Sequence, residues 1–196
     1  MTAEIDPIAL FLSDREHARA HGEGWDAAAA ALATVDAEGH PSARFVLVKE
    51  AGADGFRFYT NRESRKAAEL ARVPFASLTF LWQTIDVQYR VDGAVERLDD
   101  AASDAYFATR PRISQLGAWA SEQSRPLASR EALLARLADQ EKKYPEGTPV
   151  PRPPHWGGYR LVAKRIERWK AADFRLHDRT LYERVDDAWR ATLMNP

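Results

Sequence analysis

The sequence predicts a mainly β protein with flanking helices, and two observations carry that reading. Runs rich in β-branched and aromatic residues recur along the chain at Arg44–Lys49, Phe56–Thr60, Phe75–Trp82, Asp86–Leu98 and Gly158–Trp169, with turn residues such as Gly52-Ala53-Asp54-Gly55 between them. Helical periodicity is confined to segments before or between these runs. A chain of 196 residues with 45% hydrophobic content can fill one core, so a single domain over residues 1–196 is expected.

In order, Asp6-Pro7 offers a capping side chain followed by the residue whose fixed φ suits a first turn, predicting a helix over about 6–21 that ends near Gly22-Glu23-Gly24. Ile8, Phe11 and Leu12 form its stripe. The alanine run of Ala27–Val35 favours a helix locally, but Leu32, Thr34 and Val35 lead into a turn at Asp36-Ala37-Glu38-Gly39 and then a strand from Ser42 to Lys49, so a hairpin is expected. Asn61 is placed to cap a helix with Ser64-Arg65-Lys66 in its first turn and Ala67, Leu70 and Ala71 on its buried side. In Asp86–Leu98, Val87, Tyr89 and Val91 share one face and leave Gln88 and Arg90 on the other. Asp99-Asp100 opens a helix through Phe107 that must stop before Pro111, which aligns Tyr106 with Arg110. Ser129–Tyr144 is a further helix striped by Leu133, Leu134 and Leu137. The proline-rich Pro145–Pro154 reads as an extended surface connection, and Ala188-Trp189-Arg190 begins a last short strand.

Charge and motif content exclude several functions. Lys plus Arg (28) balance Asp plus Glu (29), which speaks against a polyanionic partner such as nucleic acid. The absence of cysteine rules out disulfides and a thiolate nucleophile and fits a reducing compartment. No run approaches the roughly 18 apolar residues of a membrane span, and the N-terminus has no basic-then-apolar leader, so a cytoplasmic protein is expected. Neither a glycine-rich dinucleotide fingerprint, a P-loop nor a G-x-S-x-G nucleophile occurs. His17 and His21 lie one turn apart without a Glu-x-x-His context, and a surface pair is the expectation over a zinc site.

Local cation clusters are more informative. Read as extended, Arg175-Leu176-His177-Asp178-Arg179 puts Arg175, His177 and Arg179 on one face; these suit a phosphate or an electron-rich ring, or else form a solvated face. Arg65 and Lys66 at a helix start oppose the macrodipole; they are either solvated charges or, with Ser64 and free amides, hold an anion.

Together, Arg44–Lys49, Phe58-Tyr59-Thr60-Asn61 with Ser64-Arg65-Lys66, Tyr106 with Arg110-Pro111-Arg112 and Ser114-Gln115, Gly117-Ala118-Trp119 with Gln123-Ser124, Trp156-Gly157-Gly158, and Arg175–Arg179 resemble the pyridoxamine 5'-phosphate oxidase family from about residue 27 onward. The resemblance implies an FMN-binding split β-barrel of Greek-key type, working as a homodimer with FMN between subunits. It implies oxidation of pyridoxine or pyridoxamine 5'-phosphate to pyridoxal 5'-phosphate, with O2 giving H2O2. Carried over by motif, the FMN positions are Arg44, Phe45, Val46, Leu47, Val48, Lys49, Tyr59, Thr60, Arg65, Lys66, Gln88, Gln123, Ser124, Trp169 and Arg179. The substrate positions are Lys49, Tyr106, Arg110 and Ser114 around its phosphate, and Arg175 and His177, the catalytic pair, near its ring. On this reading hydride passes from the substrate C4' carbon to the flavin while Arg175 and His177 orient the ring.

Arg44 and Lys49 are an odd number of residues apart, so a regular strand sends them to opposite faces; a bulge, or a ligand running along the strand edge, is required. The chain departs from the family at Val87, where relatives carry Arg, at Leu193-Met194-Asn195-Pro196, and before Asp6, where a basic lid segment has no counterpart. Two alternatives stay open: an FMN-dependent oxidase of phenazine-type precursors on the same fold, and a module that binds FMN or pyridoxal phosphate without turnover.

Overall fold

Antiparallel hairpins, joined so that the first strand ends up between the second and the fourth, generate the architecture. A computed structural model of the chain describes residues 6–22, 27–186 and 188–196. The strands are β1 (Ala29–Val35), β2 (Pro41–Gly52), β3 (Gly55–Asn61), β4 (Phe75–Trp82), β5 (Val87–Arg97), β6 (Trp156–Lys170), β7 (Asp178–Val185) and β8 (Ala188–Met194). Their order is β3-β2-β1-β4-β5-β6-β7-β8, and an added β3–β6 pairing closes the first six into a barrel. The β3-β2-β1-β4 sequence is a Greek key. The 15-residue β6 is shared: its first six residues pair with β3 and its last six with β7, while β5 follows it almost throughout. It bends at a bulge opposite Asp92 and Gly93, where any Cβ on Gly93 would lie 2.0 Å from the Val162 carbonyl oxygen.

The core follows the two-residue period. Val87, Tyr89 and Val91 point inward with Leu78, Phe80, Phe56, Phe58 and Leu161, all at most 2% exposed. Helix α1 (Pro7–Ala20), capped by Asp6, lays Ile8 and Phe11 against this interior. Phe11 is fully buried, with ring centroids 4.9–5.3 Å from Phe80, Phe56, Tyr89 and Trp82. Asp14, one turn later, accepts a 2.6 Å hydrogen bond from Tyr89 and pairs with Arg168, so the helix is fastened by charge as well as by packing.

The hairpin reading of the alanine run holds: β1 pairs with β2 from Ala29↔Leu47 to Val35↔Pro41, because small side chains let it sit between β2 and β4. The expected bulge is also present, at Lys49, since Val48 opposes Phe58 while Glu50 opposes Arg57. Three expectations are corrected. Helix α2 (Arg65–Arg72) starts after Ser64, not Asn61; Asn61 instead accepts from the Glu63 amide, and Glu69 rather than Ala71 is buried. The 175–179 segment is not extended throughout: a 3-10 turn occupies Asp173–Arg175, Phe174 and Arg175 have φ of 57° and 62°, and the strand begins only at Asp178. Strict alternation of Arg175, His177 and Arg179 is therefore lost. Finally, α5 (Arg130–Lys143) buries none of its leucines fully, and Leu134 is 50% exposed.

Helix α3 (Asp100–Ala108), capped by Asp99, stops as expected before Pro111, but Pro111 also starts a helix that the sequence reading omits, α4 (Arg112–Ala120). Val87 is 2% exposed and faces the core, so this departure from the family lies inside the barrel. His17 and His21 are an exposed pair with ring centroids 4.1 Å apart. Glu23-Gly24, proposed as the end of α1, and most of the segment before Pro7, where the lid question falls, lie outside the described residues.

Candidate functional site

Strands β2 and β3, the start of α2 and the loop after α4 enclose a cleft of about 560 Å³. It is lined by Arg44, Phe45, Val46, Leu47, Tyr59, Thr60, Arg65, Lys66, Gln123 and Ser124, together with Ser42 and Ala43. The lining thus brings together ten of the positions expected to bind FMN. Val48 is not among them, being fully buried in the barrel, so only its backbone is available to a ligand. Lys49 occupies the adjacent bulge.

The floor of the cleft is a buried lysine. Lys66 is 7% exposed, and its Nζ donates to Gln123 Oε1 at 2.9 Å and Thr60 Oγ1 at 3.2 Å. Burial, and then the charge of Arg44, pull its pKa down to about 8. Ser64 does not face the cleft as expected; it is fully buried and donates to the Asn61 carbonyl at 2.7 Å. Ser124 holds a left-handed φ of 71°, a conformation costly for a non-glycine residue, at the cleft wall.

A second cleft of about 340 Å³ shares Tyr59, Thr60 and Gln123 with the first and adds Asn61, Arg110, Ser114 and Trp156. Tyr106 stacks on Tyr59 at 3.9 Å, and Tyr59 on Trp156 at 5.5 Å. Burial, aided by the Glu50 carboxylate, pushes the Tyr59 phenol up to about 12, so it stays a neutral donor. The Arg110 guanidinium lies over the Trp156 ring at 4.7 Å, and its Nη1 is buried with no hydrogen-bond partner among the described residues. Desolvation lowers the Arg110 pKa. A buried guanidinium nitrogen with no acceptor is costly, and an anion in this cleft could supply one.

The remaining predicted residues gather elsewhere, on β5–β6–β7. Gln88 and Arg179 both oppose Trp169 in register, and the His177 ring lies 4.5 Å from the Trp169 ring. The Ala172 amide donates to His177 Nδ1 at 3.3 Å, which leaves the proton of the neutral ring on Nε2. Arg179 is held by Glu167, 2.8 Å from Nε, and by the Asn195 carbonyl at 2.9 Å. The Arg175 side chain is exposed and makes no hydrogen bond or ion pair among the described residues. Thr60 pairs with Gly157 near the start of β6, whereas Trp169 lies near its end, past the bulge, and none of Gln88, Trp169, Arg175, His177 and Arg179 lines either cleft. The two groups therefore belong to different regions of one chain.

Sequence reasoning missed Glu69, which contacts both Arg44 and Arg65; its only sequence signal is the i, i+4 spacing from Arg65. It grouped Arg110 with Tyr106 but did not foresee Trp156 beneath the guanidinium.

Known proteins resemble the chain in sequence and fold. Residues 24–144 match the family model for pyridoxamine 5'-phosphate oxidase, and residues 156–196 match that for the pyridoxine 5'-phosphate oxidase C-terminal dimerisation region. The chain is 53% identical over 191 residues to a pyridoxine/pyridoxamine 5'-phosphate oxidase of Myxococcus xanthus strain DK1622, covering 97% of this chain and 92% of that one. It is 51% identical to the corresponding oxidase of Anaeromyxobacter dehalogenans, with 100% and 98% covered. Among solved structures, PhzG from Burkholderia lata 383, in complex with tetrahydrophenazine-1-carboxylic acid, superposes with a TM-score of 0.88 at 32% identity, covering 100% of this chain and 95% of that one. The barrel, the clefts and these matches have one consistent account: the chain belongs to the pyridoxine/pyridoxamine 5'-phosphate oxidase family of flavoproteins.

Proposed function

We propose that this protein oxidises pyridoxine 5'-phosphate and pyridoxamine 5'-phosphate to pyridoxal 5'-phosphate with FMN, in a site completed by two copies of the chain. The observation that carries the assignment of the larger cleft is the convergence of Arg44, Arg65 and Lys66 on one volume beside Thr60, Gln123 and Ser124. Such a donor set fits a phosphomonoester, and the exposed Phe45 and Leu47 beside it offer apolar surface for a flavin ring. FMN, when bound, supplies two-electron chemistry: it accepts hydride and is reoxidised by O2, giving H2O2.

The second cleft is the counterpart for the substrate phosphate. Arg110 Nη1 would gain the acceptor it lacks, Ser114 would donate beside it, and Tyr106 and Lys49 would complete the set. The Trp156 ring adds a cation–π contact to the guanidinium.

Within one chain, Gln88, Trp169, Arg175, His177 and Arg179 line neither cleft and so do not reach its ligand from there. A partner copy would bring them to it. Exposed Phe45 (63%), Phe174 (93%), Leu176 (66%) and Leu193 (84%) support burial of these surfaces in a homodimer. Arg175 and His177 of the partner then orient the substrate ring, and His177 Nε2–H serves as a donor to the substrate's polar group. The test is a visible spectrum of FMN-loaded protein mixed anaerobically with pyridoxine 5'-phosphate and then aerated. Flavin bleaching and recovery with accumulation of pyridoxal 5'-phosphate is the expected result; bound flavin that never bleaches would overturn the assignment.

The likeness to PhzG favours a second reading, oxidation of a tricyclic phenazine precursor. Bleaching by a dihydrophenazine carboxylate, but not by the B6 phosphate, would select it.

A further inference from the structure

Behind the two arginines of the larger cleft sits one carboxylate. Glu69 is 5% exposed and is reached by donors from three elements. Arg65 Nε donates to Oε1 at 2.7 Å, Arg44 Nη2 to Oε2 at 3.0 Å, and Ser42 Oγ lies 3.0 and 3.1 Å from the two oxygens. Thr34 Oγ1 donates to Oε2 while accepting from Arg44 Nη1. Thus β1, β2 and α2 meet at one anion. Burial alone would raise the pKa of Glu69, but the bonds from Thr34, Arg65, Ser42 and Arg44 hold it at about 2, so the group is ionised at neutral pH.

The arrangement is unexpected for a cleft that takes an anion, because a buried negative charge beside a phosphate is repulsive. What it achieves is geometric. Arg44 and Arg65 are long, mobile side chains on different elements, and each loses rotamer freedom when it binds. Anchored from behind, both are ordered before the ligand arrives, with the exposed part of Arg65 (62% of its side chain) turned toward solvent. We propose that Glu69 is a positioning residue for phosphate recognition, preorganising Arg44 and Arg65 at a net cost in Coulomb attraction. This rests on the reading of the larger cleft as the FMN phosphate site.

Charge and geometry predict opposite signs. Removing the Glu69 charge strengthens phosphate binding if only Coulomb attraction matters, and weakens it if preorganisation dominates. The experiment titrates the apoprotein with FMN and with riboflavin, which lacks the phosphate, following flavin fluorescence, for the natural chain, Glu69→Gln and Glu69→Asp. We expect FMN affinity to fall about tenfold in both variants, since Gln replaces one accepting oxygen by a donor and Asp sets the carboxylate back by one methylene, with riboflavin affinity changed less than twofold. Tighter or unchanged FMN binding in Glu69→Gln would overturn the proposal. So would an equal loss for both flavins, which marks a merely structural role. If the Glu69 variants do not fold, Thr34→Val carries the test: it removes one anchor bond outside the cleft, and a roughly threefold loss confined to FMN is expected. Failure of the underlying reading is distinct, because the natural chain would then bind riboflavin as tightly as FMN.

Discussion

Lys66 Nζ lies 2.9 Å from Gln123 Oε1, joining the first turn of α2 to the loop after α4 across 57 residues of sequence. Among the described residues, the acceptors of the buried ammonium are this neutral amide and the hydroxyls of Thr60 and Ser64, so its charge is incompletely compensated.

That balance has a pH signature. The Lys66 pKa is about 8 in the fold and near the model-peptide value of about 10.4 when unfolded. Between these values the unfolded chain binds more protons, so stability of the ligand-free protein rises as pH increases from 8 to 10.4. FMN affinity runs the other way, because the phosphate prefers the protonated lysine. We expect the FMN Kd to rise from about pH 8 upward, by at most tenfold per pH unit, and the dependence to disappear in Lys66→Met. Equilibrium titrations between pH 7 and 9.5 check this; a flat profile in the natural chain would contradict it.

Arg110 and Arg175 should separate binding from turnover. Arg110→Ala removes the buried donor proposed for the substrate phosphate and should raise KM by about 10- to 100-fold, the equivalent of about 1.5–3 kcal/mol for a charge-assisted bond, with kcat changed little. Arg175→Ala should instead lower kcat by about 100-fold while the FMN Kd stays within about twofold. Steady-state kinetics with flavin titration on the same preparations measures both; full turnover in Arg175→Ala would remove its assigned role.

Phe11 tests the plug that α1 puts into the barrel. Its ring contacts four aromatic side chains and is fully buried, so Phe11→Ala should cost about 3–5 kcal/mol. For a chain of this size that lowers Tm by about 10 °C. Thermal unfolding of the FMN-loaded protein measures it, and a shift under about 3 °C would mean that α1 contributes little to the barrel.

Much of this protein was determined by local sequence. The two-residue period that buries Val87, Tyr89 and Val91, the caps at Asp6, Asp99 and Ser129, and the motif runs from Arg44 to Arg179 are readable because they depend on neighbours in the chain. The odd spacing of Arg44 and Lys49 pointed to a bulge or to a ligand along the strand edge, and the structure contains a bulge at Lys49. Only tertiary structure decided the rest. Glu69 becomes an anchor because Thr34, Ser42 and Arg44 arrive from distant strands. Likewise, the left-handed residues Phe174 and Arg175 break an apparently extended basic segment, and the length of β6 divides the site residues into two groups. Periodicity reports which face a residue takes; which other residues share that face depends on contacts between segments far apart in the chain.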